Sequence, residues 1–101
     1  MAKFKHGPLP MHPGAMLRNK LKQFDCTRAT AARLLGLSRQ TLYQIIAEKQ
    51  SVTPPIALRI AKLTGTFPES WLDAQQARDL ALARKSDQAI LQKVPVLDER
   101  W

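Results

Sequence analysis

The chain is short of acid, of cysteine and of long apolar stretches, and each shortage closes a class of explanation. One cysteine, Cys26, in 101 residues leaves no internal disulfide to staple a fold. A reducing compartment, the cytoplasm, is the expectation. No apolar run approaches the roughly 20 residues that span a bilayer. The start, residues 1–13, has cations and prolines but no apolar h-region or cleavage site, so no signal peptide is expected. The two histidines, His6 and His12, both fall in that Pro-rich start. No Ser/His/Asp or Cys/His arrangement sets a base beside a nucleophile, and Met11-His12 with Cys26 lacks zinc-ligand spacing. A Gly-rich phosphate loop is also missing. The residues therefore point to neither an enzyme nor a cofactor or metal protein.

The shortage of acid is the most informative. Eight Asp and Glu face 16 Lys and Arg, a net charge of +8. Such a balance favours a polyanion as partner, either nucleic acid or an anionic membrane surface. Residues 1–50 hold nine basic and two acidic side chains, a net of +7, whereas residues 51–101 hold seven and six. The polyanion face is thus expected in the first half. A membrane surface would need a basic amphipathic helix with aromatics on its apolar side. Arg18, Lys20 and Lys22 with Phe24 match that only faintly, and no membrane partner is expected.

Apolar periodicity predicts an all-α fold of five helices. Residues 1–12 form an irregular lead-in, residues 13–85 the helical domain, and residues 86–101 a tail with a short extended stretch at Val94-Pro95-Val96-Leu97. Pro13 opens a first helix carrying Leu17, Leu21 and Phe24. Thr27 caps a second, Arg28 to Leu35, which Gly36 ends in a left-handed conformation. Ser38 caps a third, from Arg39 to about Glu48, with Leu42, Ile45 and Ile46 on its apolar side. A mostly polar loop follows, Lys49 to Thr53. Pro54 opens a fourth helix (Ile56, Ile60, Leu63) that ends at Gly65. Pro68 opens a fifth, running to about Lys85 through Trp71, Leu72, Leu80 and Leu82. Leu17, Leu21, Phe24, Leu34, Leu42, Ile45, Ile60 and Leu63 are expected to form the core.

The stretch from Arg28 to Ile46 has the makings of a helix-turn-helix. Ala32 gives the small residue that lets a second helix cross the first. Gly36 supplies the turn, and Leu42 and Ile45 bury the second helix while its other faces stay polar. Here the chain resembles the XRE, or lambda-repressor-like Cro/CI, family, and within it the HigA-type, virulence-associated protein I-like antitoxins. The resemblance rests on Met11-His12-Pro13-Gly14, on Leu35-Gly36-Leu37-Ser38-Arg39-Gln40-Thr41-Leu42, and on Val52-Thr53-Pro54 with Ala57-Leu58-Arg59-Ile60-Ala61. Gly65-Thr66, Pro68-Glu69 and Trp71-Leu72 extend it to about residue 85. Two departures stand out. Helix 1 is basic where the family is acidic, and Phe67 takes the place of a Ser cap.

On this reading Arg39, Gln40, Tyr43 and Gln44 face the major groove of a double-stranded operator. Arg matches guanine O6/N7 and Gln matches adenine N6/N7. Arg28, Ser38, Thr41, Lys49 and Ser51 are the expected phosphate contacts, with the helix N-termini at Arg28 and Arg39 adding favourable dipoles. Trp71 and Leu72 fit either the core or a dimer surface, and helix 5 (Trp71, Leu72, Leu80, Leu82) with the 86–101 tail is the candidate homodimer interface. The resemblance implies more: a repressor that autoregulates its operon and neutralises a RelE-like ribonuclease toxin. A stand-alone XRE regulator without a toxin partner remains the alternative.

Overall fold

The computed structural model describes residues 9–98. Among them six helices follow one another with no strand. They are α1 (Pro13–Gln23), α2 (Arg28–Leu35), α3 (Arg39–Ile46), α4 (Pro54–Thr64), α5 (Pro68–Ser86) and α6 (Gln88–Gln92). Among the described residues no helix is long and apolar enough to cross a membrane.

The starts and stops are local chemistry. Pro13, Pro54 and Pro68 stand at the first helical positions, where a missing N–H leaves no bond unmade. Thr27 Oγ1 accepts the Thr30 N–H at 3.2 Å, and Ser38 Oγ accepts the Thr41 N–H at 3.0 Å. Gly36 adopts φ 71°, so the Leu37 N–H can reach back to the Ala32 carbonyl at 2.9 Å and close α2. Phe67 offers no acceptor, and α5 begins without a side-chain cap.

Helices α1 and α2 pack on α3, while α4 packs on α2 and α5, and α1 reaches α5. Leu17, Leu21, Ala31, Ala32, Leu35, Leu42, Ile45, Ile46, Ala57, Ile60 and Trp71 share one core. Small residues set the crossings. A side chain at Gly14 would drive its Cβ into the Ile45 carbonyl, so α1 meets the backbone of α3 there with nothing between.

Three residues expected inside lie outside: Phe24, Leu34 and Leu63 are 61%, 53% and 36% exposed. Helix phase explains two of them. The buried line of α2 is Ala31, Ala32 and Leu35, which turns Leu34 away, and that of α4 is Ala57, Ile60 and Ala61, which leaves Leu63 at its margin. Phe24 caps the C-terminus of α1, beyond its last packed turn. Val52, within the loop expected to be mostly polar, is buried instead. The tail also differs. At Asp87 (φ −106°, ψ 17°) the chain leaves α5 and winds one more helix, α6, so six helices replace the expected five. Ser86 Oγ donates to the Asp87 carboxylate at 3.0 Å, local side-chain bonding of the kind that competes with a helical backbone. Val94 to Leu97 follow outside any helix or strand.

His12, at the end of the expected irregular lead-in, is a buried N-cap of α1. Its Nδ1 accepts the Gly14 N–H at 2.8 Å. Burial pushes the imidazole below its ordinary 6.5; the Glu48 and Asp79 carboxylates oppose that and the Arg78 guanidinium adds to it. Only the neutral ring can accept the amide. As pH falls below about 6.5 the unfolded chain therefore takes up its proton first, and stability drops until the folded ring is protonated too. Urea midpoints should thus decline between about pH 7.5 and 5 in the natural chain. His12→Asn, which caps but does not titrate, should flatten that decline. An equal decline in both chains would place the titration elsewhere.

Candidate nucleic-acid interface

The second and third helices begin with the same device. Thr27-Arg28-Ala29-Thr30 and Ser38-Arg39-Gln40-Thr41 each set a hydroxyl cap, an arginine in the first helical position and a threonine at the third. The cap hydroxyl accepts the threonine amide and donates to its Oγ1, at 3.0 Å in α2 and 2.9 Å in α3. Each cap satisfies an orphan donor of its helix, and each threonine keeps a hydroxyl proton for an outside acceptor. Arg28 and Arg39 are both exposed at helix N-termini, where an anion is favoured.

Leu42, Ile45 and Ile46 hold α3 in the core and so decide which side chains it shows to solvent. Arg39, Gln40 and Tyr43 are exposed, and Gln44 is half-buried. The Arg28 guanidinium stands over the Tyr43 ring, 5.7 Å from its centroid, which ties the start of α2 to the middle of α3. Arg39 shares a shallow cavity of about 310 Å³ with Thr30 and Arg33. Among the phosphate candidates, Arg28, Ser38, Lys49 and Ser51 are exposed and Thr41 is half-buried. The expected base-facing residues thus all lie on α3, with Gln44 only half-buried, while the backbone-facing ones lie in the segments flanking it except for Thr41, which is on α3 itself.

The helix-turn-helix family model matches residues 17–72. Virulence-associated protein I of Dichelobacter nodosus is 32% identical over 87 residues, 85% of this chain and 81% of that protein. An addiction module antidote protein of the HigA family from Coxiella burnetii, 33% identical, superposes with a TM-score of 0.82 over 89% of this chain and all of that one. The chain belongs to the helix-turn-helix family, in its HigA branch. Another member, the Pseudomonas aeruginosa antitoxin HigA solved with the higBA promoter, is 30% identical, with a TM-score of 0.81 over 88% of this chain and 99% of that one.

In this HigA-type chain α3 and its exit loop are braced by two residues of α5, Gln75 and Arg78, that sequence reasoning did not find. Gln75, buried, accepts the Val52 N–H on Oε1 at 2.8 Å, and its Nε2 donates to Asp79 at 3.0 Å. Arg78 donates to the Pro10 carbonyl at 3.0 Å and pairs with Glu48 at 3.3 Å. Glu48 itself turns the chain out of α3 at φ 65°. Gln75 and Arg78 therefore anchor the loop that leaves α3. A signal was present: at helical spacing, Trp71, Gln75 and Arg78 form one stripe, and polar residues in a buried stripe must be held by partners.

Trp71, one of the dimer candidates, is buried within the single chain and belongs to the core; its bulk closes the α4–α5 corner. Leu72 is half-buried against that core, while Leu80 and Leu82 are exposed. Trp101 lies outside the described residues.

Proposed function

We propose that this chain is a homodimeric operator-binding repressor and antitoxin, which inserts α3 into the major groove and silences the operon that encodes it and a ribonuclease toxin. It acts by binding rather than catalysis, in the cytoplasm. The observation that carries the reading is the exposed Arg39-Gln40 start of α3, held by the Ser38 cap on the basic half of the chain. Arg39 and Gln40 read base edges, joined by Tyr43 and Gln44. Arg28, Ser38, Thr41, Lys49 and Ser51 fix the duplex backbone. The relative solved with the higBA promoter supports the DNA-binding reading.

The dimer surface is the far half of α5. Leu82 continues the stripe of Trp71, Gln75 and Arg78 past the end of the bundle, where no described residue beyond Gln75 is buried. With Leu80, Ile90 and Leu91 it exposes apolar surface that a second copy covers. Two copies then present their recognition helices to half-sites about one DNA turn apart.

Binding assays on the DNA upstream of its gene separate reading from positioning. Arg39→Ala should cost about 1–3 kcal/mol and relax preference at one position per half-site. Lys49→Ala should weaken every sequence alike. Equal losses on all sequences for Arg39→Ala would make Arg39 a backbone contact and overturn its role.

A further inference from the structure

Arg18, Lys22 and Arg28 converge from two helices on one open cavity of about 300 Å³, floored by Leu21, Cys26 and Ile46 and edged by Thr27. No acidic side chain lines it. Lys22, in the last turn of α1, suits the negative end of that helix dipole, but the other two cations gain nothing of the kind. Arg18 and Lys22 lie one turn apart on α1, a like-charge pair that weakens a helix. Arg28 opens α2 at the positive end of its dipole, with no acid in that first turn. Among the described residues Asp25, in the connecting turn, makes no ion pair with any of them, and the Arg78–Glu48 pair involves none of the three. Concentrated charge with no internal counter-charge around a hollow suits an anion from outside.

The hollow is not remote from the interface. Arg28, on its rim, is the residue that stands over Tyr43 of α3. We propose that this cavity holds a backbone phosphate of the duplex beside the bases read by Arg39 and Gln40, gripped by Arg18 and Lys22 together with Arg28. The inference rests on the DNA-binding reading and extends its footprint onto α1. The guanidinium supplies a planar fork for two phosphate oxygens and the ammonium a point charge.

The test is the double variant Arg18→Gln/Lys22→Gln of the full chain, which leaves Arg28 in place. On a duplex carrying the site selected by the natural chain, affinity should fall several-fold. The slope of log K against log salt should become shallower by about 0.9 for each phosphate the variant no longer neutralises. A scrambled duplex should lose as much, and base preference should not change. Neutral methylphosphonates introduced singly should then reveal a position in each half-site that costs the natural chain clearly more affinity than the variant, which keeps only Arg28 there. The variant should melt within a few degrees of the natural chain, because relief of the like-charge pair offsets the loss of Lys22 from the C-terminal turn of α1, so the weaker binding is not unfolding. An unchanged slope, or no backbone position where the variant's penalty is smaller than the natural chain's, overturns the proposal while the DNA reading stands. A natural chain with no site preference and a flat salt dependence would overturn both.

Discussion

Trp71→Ala is expected to lower stability by about 3–5 kcal/mol, a large part of the roughly 5–15 kcal/mol available to a small domain. Trp71 is the largest fully buried side chain among the described residues, and its loss hollows the corner where α4 meets α5. It also ends a chain of hydrogen bonds. The indole N–H donates to Thr66 Oγ1 at 2.7 Å, Thr66 and Thr64 hydroxyls meet at 2.8 Å, and Thr64 donates to the Ile60 carbonyl at 2.7 Å. Since the Thr64 proton is committed to Ile60, Thr66 must be the donor between the two hydroxyls. Every oxygen then has one direction, set by the indole at one end and the carbonyl at the other. Trp71→Phe, which keeps most of the volume but not the donor, should cost appreciably less. Urea unfolding followed by far-UV circular dichroism measures both. A Trp71→Ala loss under about 1 kcal/mol, far below that of a filled core site, would return this residue to the surface.

Truncation after Gly65 should have a larger effect still: a chain with no cooperative thermal transition that binds DNA weakly at best. It removes α5 and so uncovers Ala57, Ile60 and Ala61, strips the buried Val52 amide of Gln75, and frees both Pro10 and Glu48 from Arg78. Burial of apolar area is the main force for folding, and four short helices lose a wall of their core. Truncation after Lys85 is the contrasting case. Nothing beyond Gln75 is buried among the described residues, so the fold should persist while the dimer loosens. Sedimentation equilibrium on the full chain and both truncations reads the two effects separately. A cooperative, operator-binding 1–65 fragment would show that α5 does not support the recognition loop. A full-length chain that stays monomeric at tens of micromolar, about −6 to −7 kcal/mol on the affinity scale, would remove the dimer.

The local punctuation of this chain was legible from residues alone. Thr27, Gly36, Ser38 and the three helix-opening prolines act through bonds within a few positions, so their roles follow from residue type and spacing. The eight expected core residues were less secure because adjacent leucines look alike in sequence: Leu34 and Leu35 differ by about 100° around α2, and only the tertiary crossing chooses between them. Trp71 was undecided between core and interface for a related reason, since a bundle and a dimer both bury an indole. Gln75 and Arg78 were missed because their partners, Val52, Pro10 and Glu48, lie 23 to 68 residues away in sequence or across a turn. Their polar character in an apolar stripe was the clue. The helix in the tail, α6, is short and has no side-chain cap, so little in the sequence announces it.

The attachment of the recognition loop to α5 also has a thermodynamic consequence. Gln75 and Arg78 sit midway along a single 19-residue rod, whose near half builds the core and whose far half stands free. Anything that grips the free half and shifts the rod must alter the seat of Val52 and Glu48, and with it the presentation of α3. Linkage then makes the traffic symmetrical: whatever factor a bound protein imposes on operator affinity, the operator imposes on the affinity for that protein. A chain built this way would couple operator occupancy to the binding of a partner on α5 through the helical domain itself.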